Sequence, residues 1–254
     1  MNNIFPKLYP LGDQAIVVEF GDEISVEVNK NVLKLANKLR SSSINGMIEW
    51  VPSYTSLTIY YRPIKIKYTQ IKQTIELLID QLDDLQEEER TLIEIPALYG
   101  DEYGPDLEDV AKYHGITVEQ VIKLHTNQTY RIYMLGFSPG FPYLGGLHPG
   151  LHTPRLSKPR IKVPSGSIGI AGSQTGIYST TSPGGWRIIG QTPLPLFNPK
   201  NEQHPILLKH GYDIRFFSIE REEFMEIKKN VQQNGSYIQR FLIKGGVEDE
   251  NRSK

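Results

Sequence analysis

The chain contains no cysteine. Disulfide frameworks, thiol nucleophiles and Cys-ligated zinc are therefore excluded, and the composition fits a reducing compartment, so a cytoplasmic location is expected. Net charge is also nearly absent, since 28 Lys plus Arg against 29 Asp plus Glu leave -1. Such a balance sets up no broad field to gather nucleic acid or an anionic membrane, and neither is expected as a partner. No segment approaches the roughly 18 uninterrupted apolar residues of a membrane span. The opening MNNIFPKLYPLGDQ is broken by Pro6 and Pro10 and lacks the apolar run of a signal peptide. Neither G-x-x-x-x-G-K-[ST] nor G-x-G-x-x-G occurs, which excludes a classical P-loop or Rossmann nucleotide site.

What is present suffices for two domains: 254 residues with 39% apolar side chains. Punctuation divides them, because ten of the 17 prolines lie between Pro139 and Pro199 and twelve of the 22 glycines between Gly136 and Gly190. Before that stretch the hydrophobic period alternates. Ala15 to Phe20, Met47 to Val51, Leu57 to Tyr61 and Thr91 to Ile95 read as strands. Val28, Val32, Leu35 and Leu39 form one helical stripe, and Ile71, Ile75, Leu78, Leu82 and Leu85 a second. The order predicts an α+β fold, with a ferredoxin-like βαββαβ domain over residues 1–95. Asp106 to Tyr113, ended by Gly115, and Val118 to Thr126, opened by the capping pair Thr117 and Gln120, read as short helices. From Tyr130 to Phe137 onward, short β-rich runs at Ile168 to Ala171, Arg187 to Gly190, Ile206 to Leu208 and Ile214 to Ile219 are separated by Gly and Pro turns, which is barrel or sandwich patterning. A helix over Glu222 to Gln233 closes a second domain assigned to residues 96–244, and residues 245–254 read as a polar tail.

Gly136-Phe137-Ser138-Pro139-Gly140 satisfies the G-x-S-x-G pattern of serine hydrolases, but Pro139 stands where the oxyanion hole needs a backbone N–H. It reads as a rigid loop with Phe137, Phe141 and Tyr143 packed beneath it. His148 and His152 have a zinc-like spacing that Pro149 and Gly150 interrupt, so no metal site is expected. His125 reads as a packed or surface residue. Residues 164–176 carry four glycines, Gly166, Gly169, Gly172 and Gly176, consistent either with an anion-binding nest or with tight hairpin turns. Upstream, Arg155 and Arg160 follow Pro154 and Pro159, so two planar forks suited to carboxylate or phosphate ride on stiffened chain. Ser182-Pro183-Gly184-Gly185-Trp186 adds a turn with an aromatic wall. The candidate ligand-binding residues are Arg155, Arg160, Gln174, Tyr143 and Trp186, with Gly140, Gly166 and Gly172 supplying backbone groups. No catalytic acid, base or nucleophile is identified.

LGFSPGFPYLGGL (135–147), TPR and KPR (153–155 and 158–160), VPSGSIGIAGSQTGIY (163–178) and SPGGWRIIGQTPLPLF (182–197) resemble the 5-oxoprolinase B-subunit family, also called KipI or allophanate hydrolase subunit 1. The likeness extends to PLGDQAIVVEFGDEI near the start. It implies a small α+β domain followed by a cyclophilin-like β-barrel. It also implies a partner with a related barrel, the C-subunit or KipA, and a third component, the A-subunit, the three forming an ATP-dependent enzyme that opens 5-oxoproline to glutamate. ATP with Mg2+ would then belong to the complex, since no motif here binds it. A different class of function attaches to the same resemblance, inhibition of a sensor histidine kinase by docking of a barrel face. The cyclophilin-like fold alone also suggests a prolyl isomerase, a weak inference because fold does not fix function. The sequence departs from the family pattern at Gly211-Tyr212-Asp213, where a tyrosine separates the expected Gly-Asp pair. No Ser-Ser-Lys amidase signature is present, which argues against the allophanate hydrolase name.

Overall fold

The computed structural model describes residues 5–82, 91–202 and 204–244. The chain divides into two compact units, Met1–Glu88 and Glu89–Lys254. The first contains β1 (Lys7–Leu11), β2 (Ala15–Glu19), α1 (Val26–Ser41), β3 (Met47–Pro52), β4 (Ser56–Tyr61) and α2 (Tyr68–Ile79). Its four strands form an antiparallel sheet in the order β1-β2-β4-β3. Strand alternation puts Leu57, Ile59 and Tyr61 of β4 on one face, in a core with Ile16 and Val18 of β2. Helix α1 opens at Ser25, whose hydroxyl accepts the Val28 N–H at 3.1 Å, and lays Val32, Leu35 and Leu39 into that core. Ile71 and Ile75 of α2 complete it. Asn29 of α1 is fully buried and donates its amide to the carbonyls of Ser53 and Tyr54 at 3.2 Å each, tying the β3–β4 turn to the helix.

The expected βαββαβ order needs correction: this unit runs ββαββα. Lys7–Leu11 forms an edge strand despite Pro10, which an edge tolerates because one side of the strand has no partner to lose. The strand beginning at Thr91 belongs to the second unit, where its hydrogen-bonding partners lie. Leu85 and the tail over 245–254 fall outside the described residues.

The second unit contains β5 (Thr91–Tyr99), α3 (Leu107–His114), α4 (Val118–Thr126), β6 (Thr129–Leu135), β7 (Pro142–Gly145), β8 (Arg160–Val163), β9 (Ser167–Ala171), β10 (Gln174–Ile177), β11 (Ser182–Gly184), β12 (Arg187–Gln191), β13 (Asp213–Ser218), α5 (Arg221–Gln233) and β14 (Leu242–Lys244). Seven strands close a barrel in the order β12-β9-β10-β7-β6-β13-β5, with β5 returning to β12 through Tyr99–Gly190 and Leu98–Gln191. Strands β5 and β13 are parallel, and β14 pairs with the first residues of β5. A separate ribbon is made by β8 and β11. The strand expected at Ile206 to Leu208 is only a bridge between Phe197 and Ile206, because Pro193, Pro195, Pro199 and Pro205 remove the donors a longer ladder would need. Gly115, at φ 65°, ends α3, and the side chains of Thr117 and Gln120 cap α4 reciprocally. No helix among the described residues is long and apolar enough to cross a membrane.

Ile93, Ile95, Tyr130, Ile132, Ile168, Ile170, Ile214 and Phe216 are buried in the barrel core. One polar network sits among them. His125 of α4 places Nδ1 2.7 Å from the Tyr99 hydroxyl and Nε2 3.0 Å from Thr175 Oγ1. Thr175 donates its proton to the Gly169 carbonyl at 3.1 Å, so it accepts from Nε2–H, and Tyr99 donates to Nδ1. Burial holds the imidazole pKa down at about 3. His125 is thus a neutral structural plug of the core.

Candidate functional site

On β10, Thr175 and Ile177 are buried toward the core, so Gly176 and Gln174 face the other side of the sheet. Gly176 pairs with Gly169 of β9, and together they make a floor without side chains. A Cβ at Gly176 would lie 3.0 Å from Trp186 Cζ3 and 3.2 Å from the Phe141 ring, and one at Gly169 3.0 Å from Trp186 Cβ. The indole rests on this floor with only 6% exposure. Phe141 meets it edge-on at 5.6 Å and 90°, and meets Tyr178 at 5.4 Å and 89°. With Val163, Ala171 and Ile188 these rings form a small core distinct from the main barrel core. Tyr143 completes the cluster, half-buried, 4.9 Å from Phe141 and 6.2 Å from Trp186.

Exposed Arg155 sets its guanidinium 6.0 Å from the centre of the Trp186 ring. It forms no ion pair among the described residues. Burial raises the Tyr143 phenol pKa, against the pull of Arg155. The Tyr178 phenol is raised by burial too, while the Trp186 backbone N–H, Arg155 and Arg160 act the other way. Arg155, Tyr143 and Trp186 therefore form one constellation, with Gln174 on the same face.

Arg160 is placed differently. Its Nη2 lies 2.7 Å from Asp106 Oδ1, and Asp106 Oδ2 accepts the Ile188 N–H at 2.6 Å. Its Nη1 is buried without a hydrogen-bond partner among the described residues. The pair ties the β8–β11 ribbon to the start of α3 and to β12, and engages Nη2 of the fork. The glycines do not combine into one nest. Gly166, at φ 84°, and Gly172, at φ 58°, occupy turns at opposite ends of β9, while Gly169 and Gly176 lie within strands. Gly140 sits in a third loop against the Leu196 carbonyl.

No nucleophile elbow forms at residues 136–140: Ser138 Oγ is 3.0 Å from Ser179 Oγ, no base among the described residues adjoins it, and a strand follows instead of a helix. Phe137 in this loop adopts a left-handed φ of 66° and is 66% exposed. His148 and His152 flank a single 3-10 turn, where His148 Nδ1 accepts the Gly150 N–H and His152 Nε2 bonds the Leu147 carbonyl. Asp213 opens β13 with a 3.3 Å ion pair to Arg131. Sequence reasoning missed Asp106, Tyr178 and the Gly169–Gly176 floor. Glycines alternating with buried β-branched residues were a usable signal for the floor; Asp106 offered none.

The Arg155 face presents hydrogen-bond donors and aromatic surface, which can hold a planar carboxylate or a phosphorylated group. Among the described residues it supplies no general base, since Asp106 is engaged on both oxygens and His125 is locked in the core.

Residues 6–208 match the carboxyltransferase domain, subdomain C and D. The chain is 42% identical over 229 residues to the 5-oxoprolinase B-subunit of Bacillus subtilis (strain 168), spanning 86% of this chain and 95% of that protein. It is 39% identical over 210 residues to the 5-oxoprolinase B-subunit of Escherichia coli O157:H7, spanning 83% and 94%. The crystal structure of TTHA0988 matches with a TM-score of 0.73 at 36% identity over 82% of this chain, which corresponds to 40% of that longer chain. Kluyveromyces lactis urea carboxylase shares the fold, with a TM-score of 0.71 at 18% identity over 94% of this chain and 24% of that one. A two-unit α+β chain with a closed barrel, aligned over nearly the whole length of both bacterial proteins, belongs to the 5-oxoprolinase B-subunit family.

Proposed function

We propose that the chain is the B-subunit of an ATP-dependent 5-oxoprolinase, acting with a KipA-like C-subunit and an A-subunit to hydrolyse 5-oxo-L-proline to L-glutamate. The observation that carries this reading is 42% identity across 95% of the Bacillus subtilis protein of that name. In the reaction water adds to the lactam carbonyl, the ring C–N bond breaks and the nitrogen takes a proton. Arg155 receives an anion, either the substrate carboxylate or a phosphorylated intermediate, while Tyr143 and Gln174 form the wall against which the ring lies, backed by the buried Trp186 indole. Arg160 and Asp106 fix the β8–β11 ribbon to α3 and β12. Among the described residues no group of three or more His, Asp or Glu side chains comes together to hold a metal ion. ATP with Mg2+, and the base that activates water, are assigned in this proposal to the assembled complex. A face of donors without a base fits a site shared with a partner barrel.

The test is reconstitution. The chain alone releases no glutamate from 5-oxoproline, and addition of the C- and A-subunits gives ATP-dependent release. In that complex Arg155→Lys keeps the charge but loses the fork, and kcat/KM falls about 10- to 100-fold. Unchanged kinetics remove Arg155 from the site, and robust turnover by the lone chain sinks the shared-site reading. A correctly assembled complex that never consumes 5-oxoproline moves the assignment to kinase inhibition.

A further inference from the structure

A cleft of about 270 Å3 lies between helix α5 and the loops flanking β9 and β12, away from the Arg155 face. That volume holds about nine waters at roughly 30 Å3 each, enough for an amino-acid-sized ligand. Its loop wall is already built. Thr192 N–H donates to the Gly166 carbonyl at 2.9 Å, the Gln191 amide donates to the Ser165 carbonyl at 2.6 Å, and the Leu194 N–H reaches Thr192 Oγ1 at 3.3 Å. Gly166 permits this closeness, because a Cβ there would lie 2.5 Å from the Thr192 carbonyl oxygen.

The opposite wall is helical. At 100° per residue, Phe224, Lys228, Val231 and Gln232 share one face of α5, whereas Glu222 and Glu226 turn to the far side. Among the described residues the lining contains one cation, Lys228, and no carboxylate. Lys228 forms no salt bridge among the described residues; its ammonium lies 5.8 Å from the centre of the Phe224 ring. A cleft of mixed polar and apolar lining, with one ammonium outside any salt bridge among the described residues and an amide at the rim, suits a small polar ligand with a single carboxylate.

We propose that this cleft binds a small monocarboxylate of amino-acid size, through Lys228 and Gln232 at the rim and Thr192 and Leu194 on the wall. The site is separate from the Arg155 face and does not depend on the oxoprolinase reading. It is tested by amide NMR titration of the full chain with 5-oxo-L-proline and, in parallel, with its uncharged amide at matched ionic strength. The carboxylate is expected to shift the Gly166, Thr192 and Leu194 amides, and the uncharged amide to leave them still. Lys228→Gln, a substitution of an exposed side chain that leaves the fold intact, weakens those shifts about tenfold in apparent Kd. Arg155→Gln leaves them unchanged. Shifts confined to the Trp186 region, equal titration by Lys228→Gln, equal response to the uncharged amide, or no response at millimolar ligand each overturn the proposal. Loss of the Arg155-dependent shifts alone bears only on the oxoprolinase site, so the two ideas fail separately.

Discussion

His125 is the side chain whose chemistry the fold suppresses most completely. With Nε2–H donated to Thr175 and Nδ1 accepting from Tyr99, protonation would strand a charge in the barrel core. The folded pKa of about 3 lies below the usual 6.5, so the unfolded chain binds the extra proton over that interval. The contribution is complete above about pH 6.5 and is lost as pH falls toward 3, at about 1.4 kcal/mol per pH unit. Imidazole nitrogen NMR at pH 5 should show a neutral Nε2–H ring, and a charged ring at that pH would refute the network. Asp106 is the second such residue, a buried carboxylate whose two oxygens serve Arg160 and the Ile188 amide. Asp106→Ala should destabilise the barrel unit by about 2–4 kcal/mol in urea unfolding, because it leaves a buried N–H and a half-buried guanidinium unanswered.

Strands β9 and β10 owe their function as a floor to two missing side chains. Gly176→Ala would put a Cβ 2.9 Å from the Pro142 carbonyl oxygen and 3.0 Å from Trp186 Cζ3, so the indole must move. A loss of about 1–3 kcal/mol is expected, with a red shift of Trp186 emission in a Trp50→Phe background. Unaltered emission and stability would show that the rings repack freely. The local grammar of such elements was largely open to reading. Thr117 and Gln120 announced α4, and Gly115 announced the end of α3, because caps act within one turn of chain. Periodicity likewise found α1, α2 and most barrel strands. It also found the strand at Thr91, yet put it in the wrong sheet, since its partners Asp213–Ser218 and Leu242–Lys244 are remote and pairing leaves no local trace. For the candidate site, the motif block named Tyr143, Arg155 and Trp186, which the fold brings together. It did not separate exposed Arg155 from tethered Arg160, because the tether, Asp106, comes from another part of the chain.

Each of the two units has its own apolar core, and this sets where the chain can be cut. A fragment 89–254 retains β5 and should give a dispersed amide spectrum, whereas 96–254 removes half of the strand that joins β12, β13 and β14 and should not fold. Equal folding of both fragments would contradict the barrel closure described above. The position of β5 also has a consequence for birth on the ribosome. It is the first barrel strand to leave the exit tunnel, and its long partner β13 is among the last. The nascent barrel must therefore wait, open-edged, through the synthesis of more than a hundred intervening residues. Protease protection of stalled nascent chains should appear only once the β13 segment has emerged, and until then the unpaired edges are open to pairing with other chains.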